Sequence, residues 1–159
     1  IGGDTPGLSA VTIADRFPGE GPVGGLSTAL GADLLRDAAG VFVLACDLPW
    51  IDVAVLHTLA GVDRRSCDVV VASTDRPQPL CALWLPSARV IVDEAFAQGE
   101  RAMWRVLERC RVTEVDIEQA WRLDDVDTPD DLARSTSRST TRSVNRSADR
   151  PADGAGPER

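Results

Sequence analysis

The sequence has no lysine and no tyrosine, a single histidine at His57, and only 4% aromatic residues. All 17 basic residues are therefore arginine, a bias that matches skewed base composition and from which no function is read. Without lysine there is no Walker-type loop, whose lysine reaches the β- and γ-phosphates of a nucleotide. His57 falls within a predicted helix with no Cys or His close by, and reads as structural. The four cysteines, Cys46, Cys67, Cys81 and Cys110, form no CxxC pair, so neither a zinc site nor a disulfide framework is signalled and reduced thiols are expected. No apolar run approaches the roughly 18 residues that span a bilayer, and no signal peptide opens the chain. These absences predict a soluble, cytoplasmic protein with no membrane partner.

What is present is a chain of 159 residues, 43% of them hydrophobic, enough for one core rather than two. The net charge of -8 is unevenly spread: 1–133 carries 11 Arg against 22 acidic residues, whereas 134–159 carries 6 Arg against 3. An acidic body argues against nucleic acid as a partner, because that binding draws on clustered positive charge. A phosphate substrate would need a cation, and magnesium is the expected one.

Short β-branched runs alternate with helical patterns, the signature of βαβ units on a parallel sheet. Strands are predicted at 11–14, 41–45, 68–73, 80–85 and 112–117. The run 41–45, VFVLA, is continuously apolar, as in a parallel strand covered on both faces. Helices are predicted at 23–37, from Asp52 through Val55, Leu56 and Leu59, at 87–97, at 101–109 and at 127–134. Residues 74–79 read as a loop. The folded body is placed at 1–134, and 135–159, with Arg recurring every four residues among Ser and Thr and almost no apolar residues, is expected to be disordered.

Three places carry chemistry. At Cys46-Asp47-Leu48-Pro49 an apolar strand delivers a carboxylate at its C-terminal end, where open α/β sheets bind ligands. Asp47 suits a hard divalent cation shared with substrate phosphates, while a plain turn with Pro49 is the competing account. Residues 19–25, GEGPVGG, run into a helix just after Asp15, so that backbone amides could meet an anion; a tight structural turn explains the glycines equally. At 125–131, DVDTPDD, Thr128, Pro129 and Asp131 make a helix start with a capping box, which leaves Asp125 and Asp127 to point elsewhere. Trp50, Trp84, Trp104 and Trp121 have faces that could stack on a planar aromatic ligand, with packing as the alternative; Trp84 is the one to test.

Taken in order, GPVGG, ACDLP at a strand end, QPLCALW, GERAMW and DVDTPDDL resemble the molybdenum cofactor guanylyltransferases over roughly 1–134. The resemblance implies a Rossmann-like α/β nucleotidyltransferase fold, three-layered with a mostly parallel sheet, and transfer of GMP from GTP to molybdopterin with release of pyrophosphate. It places the catalytic and magnesium-binding aspartate on Asp47. It gives GTP contacts to Asp15, Gly21, Asp47 and Gly2, and sets Gln78, Arg101, Asp125 and Asp127 on the molybdopterin side. Molybdoenzyme maturation proteins are the protein partners it implies.

One departure matters. The family opens with a strand and a loop of the type LAGGxxxRMG followed by a lysine, and none of these precedes Asp15 here. The chain therefore reads as N-terminally truncated, and a fragment without that phosphate cradle is expected to be poorly active or inactive. Two other readings stay open: a cytidylyltransferase or a sugar or phospholactate nucleotidyltransferase of the same fold, and an inactive remnant kept as a binding module.

Overall fold

Val69-Val70-Val71 is apolar on both faces of an extended chain and can form a strand only where both faces are covered. In the computed structural model, which describes residues 1, 11–128, 130, 131 and 133, that run is the heart of the sheet. In chain order come α1 (Gly21–Leu30), β1 (Val41–Leu44), α2 (Val53–Ala60), β2 (Val69–Ser73), β3 (Pro77–Trp84), α3 (Ala88–Ala97), α4 (Met103–Leu107) and β4 (Val112–Asp116). Short 3-10 turns occupy Asp33–Leu35 and Ala120–Leu123. The sheet order is β1-β3-β2-β4. Val69 and Val71 face α1, α3 and α4 together with Ala82 and Trp84, whereas Val70 and Ala72 face α2 with Cys81 and Leu83. The three-layered α/β architecture expected of a Rossmann-like fold is thus present.

The pairing differs from the expected mostly parallel sheet. β1, β2 and β4 point the same way, but β3 lies antiparallel between β1 and β2, so that only β2–β4 is a parallel ladder among the described residues. The cause is the connection between β2 and β3, which is only 74–76. A parallel return needs a crossover of a dozen or more residues, so three residues dictate a hairpin. The predicted loop 74–79 is in part strand, because β3 begins at Pro77, across from Ser73.

Other expectations shift at their ends. The helix predicted at 23–37 is α1, which starts two residues earlier with Pro22 in its first turn and stops at Leu30. Gly31 closes it, donating to the Ser27 carbonyl, and Ala32 is extended. Residues 11–14 form no strand: no described neighbour pairs with them, and Val11 is 78% exposed. β1 is not covered on both faces either, since Phe42 and Leu44 stay exposed beyond the reach of α2. Asp52 does cap α2, accepting from Val55 N at 3.2 Å. The capping box also forms, with Asp131 Oδ2 accepting from Thr128 N and Asp131 N donating to the Thr128 hydroxyl. Residues 130, 131 and 133 are helical, while Gly2, Pro129 and the segment 135–159 lie outside the described residues. No helix among the described residues is long and apolar enough to cross a membrane.

At the start of β2, Asp68 is buried and takes the Arg111 guanidinium in two hydrogen bonds of 3.0 and 2.8 Å, from Nε and Nη2. Arg111 immediately precedes β4, so this pair fixes where the parallel ladder begins. The Arg111 guanidinium, with the Ser87 hydroxyl, holds the Asp68 carboxyl well below the usual carboxylate range despite its burial.

Candidate functional site

β1 and β2 both end, in the C-terminal sense, on one side of the sheet. There a cleft of about 430 Å³ opens, and Asp47, Gln78 and Asp125 line it together. Asp47 sits in the turn that follows β1, half-buried. The turn leaves the sheet through a hydrogen bond from Ala45 N to Leu80 O at 2.8 Å, which extends the β1–β3 pairing by one step.

A strap formed by residues 119–126 holds this turn from the other side. Val126 N donates to the Asp47 carbonyl at 3.0 Å, which sets Asp125 and Asp127 on either side of that contact. Arg122 forms an ion pair with Asp52, and the rings of Trp50 and Trp121 meet edge-on with centroids 6.4 Å apart. The strap was not visible in the sequence, because its contacts join residues 70 or more positions apart. The DVD motif flanking Val126 was its only trace.

Within the cleft Asp47, Asp75, Asp124 and Asp125 are the acidic groups and Arg76 the one cation among the described lining residues. Cys81 also reaches the cleft, but burial pushes its thiol up to about 11, so it stays protonated and unreactive near neutral pH. His57 is exposed on α2 and does not line the cleft. Trp84 is fully buried in the core, with its indole N–H donated to Pro79 O, and has no face to offer a ligand.

Asp15, Gly21 and Arg101 do not line this cleft and gather instead around the start of α1. Asp15 Oδ1 accepts from Phe17 N at 2.9 Å and lies 3.0 Å from the Thr28 hydroxyl, which pins the loop onto α1. Gly21 begins α1 with φ +78, a conformation that side chains disfavour. Arg101 donates to Glu20 Oε2 at 2.8 Å and to the carbonyls of Phe96 and Glu100 at 2.9 Å, and its guanidinium lies 4.0 Å from the Phe96 ring centre. The Glu100 carboxyl is held below its ordinary value, first by the Ala102 N–H. β3 ends where β1 and β2 begin, and α3 packs back along the sheet from there, so Arg101 returns toward the end that carries Asp47.

Among the described residues no group of three or more His, Cys, Asp or Glu side chains is placed to hold a metal. The described residues therefore build no protein-only cage. Asp47 and Asp125 line the open cleft, and one or two hard carboxylates of this kind are what a divalent cation shared with phosphates uses.

Three comparisons bear on this geometry. The family model described as "MobA-like NTP transferase domain" matches residues 4–115. The chain is 30% identical over 128 residues to an Opitutus terrae protein named "Probable molybdenum cofactor guanylyltransferase", covering 77% of this chain and 63% of that protein. It is 33% identical over 110 residues to a protein of the same name from Methanothermobacter thermautotrophicus, covering 65% of this chain and 54% of that protein. The chain thus spans between about half and two thirds of the length of these relatives. The crystal structure of molybdopterin-guanine dinucleotide biosynthesis protein A from Archaeoglobus fulgidus superposes with a TM-score of 0.68 at 28% identity, covering 81% of this chain and 68% of that one.

Proposed function

Because the chain belongs to the MobA-like NTP transferase domain family, we propose that it serves in transferring GMP from GTP to molybdopterin, with release of pyrophosphate. The observation that carries this reading is the cleft at the C-terminal sheet end, where Asp47, Gln78 and Asp125 converge although the sequence separates them widely. Asp47 and Asp125 would hold magnesium jointly with the phosphates. When bound there, the ion would neutralise charge on the triphosphate and orient the pyrophosphate leaving group.

The chain's own groups divide the remaining work. Asp15 has one carboxylate oxygen committed to the loop, and its second oxygen would accept from the N–H edge of guanine. The backbone at Gly21 lets the nucleotide approach α1 without a side chain in the way, and Gly2 would add a further nucleotide contact. Gln78 and Asp125, with Asp127 beside the strap, would position the pterin, and Arg101 would frame that side from the α1 end. The attacking atom is the terminal phosphate oxygen of molybdopterin. It carries negative charge near neutral pH, so no general base is required and the absence of histidine from the lining described here is no obstacle.

The test is product formation by the chain together with whatever its gene encodes on either side. Incubation with magnesium, molybdopterin and either GTP or CTP, with pyrophosphate and dinucleotide both assayed, should give product with GTP, abolished by Asp47→Ala. Product from CTP alone would move the assignment to a cytidylyltransferase. No product with either nucleotide from folded protein would sink the transfer reaction and leave a binding module.

A further inference from the structure

Arginine is the chain's sole long basic side chain, and the structure uses nearly all of it internally. Every arginine among the described residues except Arg64 and Arg76 sets its guanidinium against a carboxylate, an amide oxygen or an aromatic ring. Those two lie beyond opposite ends of β2. Arg64 borders a separate groove near Asp68, whereas Arg76 lies in the cleft with Asp47.

Arg76 has no partner among the described residues, although Asp75 adjoins it and Asp47, Asp124 and Asp125 line the same cleft. Its backbone is not free to wander: residues 74–76 join two paired strands, and Thr74 N donates to the Arg76 carbonyl at 3.4 Å. A fixed backbone thus presents an exposed, uncommitted guanidinium to a cleft otherwise lined by carboxylates. A phosphate monoester carries about -1.5 to -2 charge near neutral pH and would be repelled by those carboxylates. The planar fork of arginine matches phosphate oxygens two at a time.

We propose that Arg76 is the phosphate-binding side chain of the cleft and holds the phosphate monoester end of the acceptor beside Asp47. This rests on the transfer reading for the identity of the acceptor, but not for the chemistry of the site, which is that of a phosphate monoester. Arg76 is then a binding residue rather than a group that moves protons. Its removal acts on acceptor affinity and leaves nucleotide affinity alone.

The test compares wild type with Arg76→Ala, Arg76→Lys and Arg64→Ala in the presence of magnesium. Binding of inorganic phosphate, GTP and molybdopterin is followed by tryptophan fluorescence, since Trp50 and Trp121 flank the strap beside the cleft. Arg76→Ala should weaken inorganic phosphate and molybdopterin about ten- to a hundredfold, raise KM for molybdopterin in parallel and leave kcat within about threefold. Arg76→Lys should recover part of the loss, and Arg64→Ala should match wild type. Because Arg76 is exposed, all variants should melt as wild type does. Unchanged phosphate and molybdopterin binding in Arg76→Ala, or an equal loss of GTP binding, overturns the proposal. Arg76-dependent phosphate binding by a protein that makes no dinucleotide would uphold it while the transfer reading falls. Product formation indifferent to Arg76 would do the reverse.

Discussion

The two ends of β2 carry similar side chains in opposite conditions. Before Val69, Asp68 is buried and gripped by both arms of Arg111. Past Ser73, Arg76 has no acidic partner among the described residues, although Asp47 and Asp125 line the same cleft. Charged groups in a folded chain are ordinarily paired or solvated. The difference teaches which end is frame and which is site: at one the protein satisfies its own charges, at the other it leaves them for something else. Arg101, beside the start of α1, belongs with the frame, since it already spends its donors on Glu20, Phe96 and Glu100.

Substitutions at the two ends should therefore separate activity from stability. The largest effect is expected at the open end, where Asp47→Ala should lower the rate of dinucleotide formation about a hundredfold or more without lowering the melting temperature. At the closed end, Asp68→Ala should leave that rate intact below the melting transition. It should cost about 1 to 3 kcal/mol in urea unfolding, the arginine being largely exposed and its loss of a partner partly offset by water.

Acid should sharpen the contrast. The folded-state pKa of Asp68 lies below its unfolded value, so near pH 4 the unfolded chain binds more protons. The stability contributed by this carboxylate is then fully present above the ordinary carboxylate range and is lost as pH falls through and below it. Unfolding midpoints measured between about pH 6 and pH 3 should decline more steeply in wild type than in Asp68→Asn. A smaller effect is expected from Arg101→Ala, about 1 to 2 kcal/mol in melting, because its ion pair with Glu20 is partly exposed. If that variant instead lost acceptor binding with its stability unchanged, Arg101 would have to be moved from frame to site. The least change should follow Asp52→Ala, which removes the α2 cap and the Arg122 pair at about 1 kcal/mol and shifts KM only as far as the strap loosens.

Much of this arrangement was legible in the residues themselves. β1 and β2 announce themselves as continuous apolar runs, although only β2 is buried throughout, and Asp52 announces α2 because a cap is a local interaction. Asp47, Gln78 and Asp125 could be named because they sit in short motifs that ended on one cleft. The direction of β3 was not legible from apolar pattern alone but from the link after Ser73, since three residues or six are both too few for a parallel crossover; its start was hidden because Pro77 and Pro79 made a strand look like a loop. The strap at 119–126 and the isolation of Arg76 were hidden for a different reason. Both are facts about which distant groups meet, or fail to meet, once the sheet has formed.

The most direct test places Asp47→Ala beside Asp68→Ala in one preparation and measures the rate of GTP-dependent dinucleotide formation with the melting temperature of each. The account predicts a crossed result, with Asp47→Ala folded as wild type and silent, and Asp68→Ala less stable yet turning over at the wild-type rate when cold. An Asp47→Ala protein that forms dinucleotide as wild type does would contradict it.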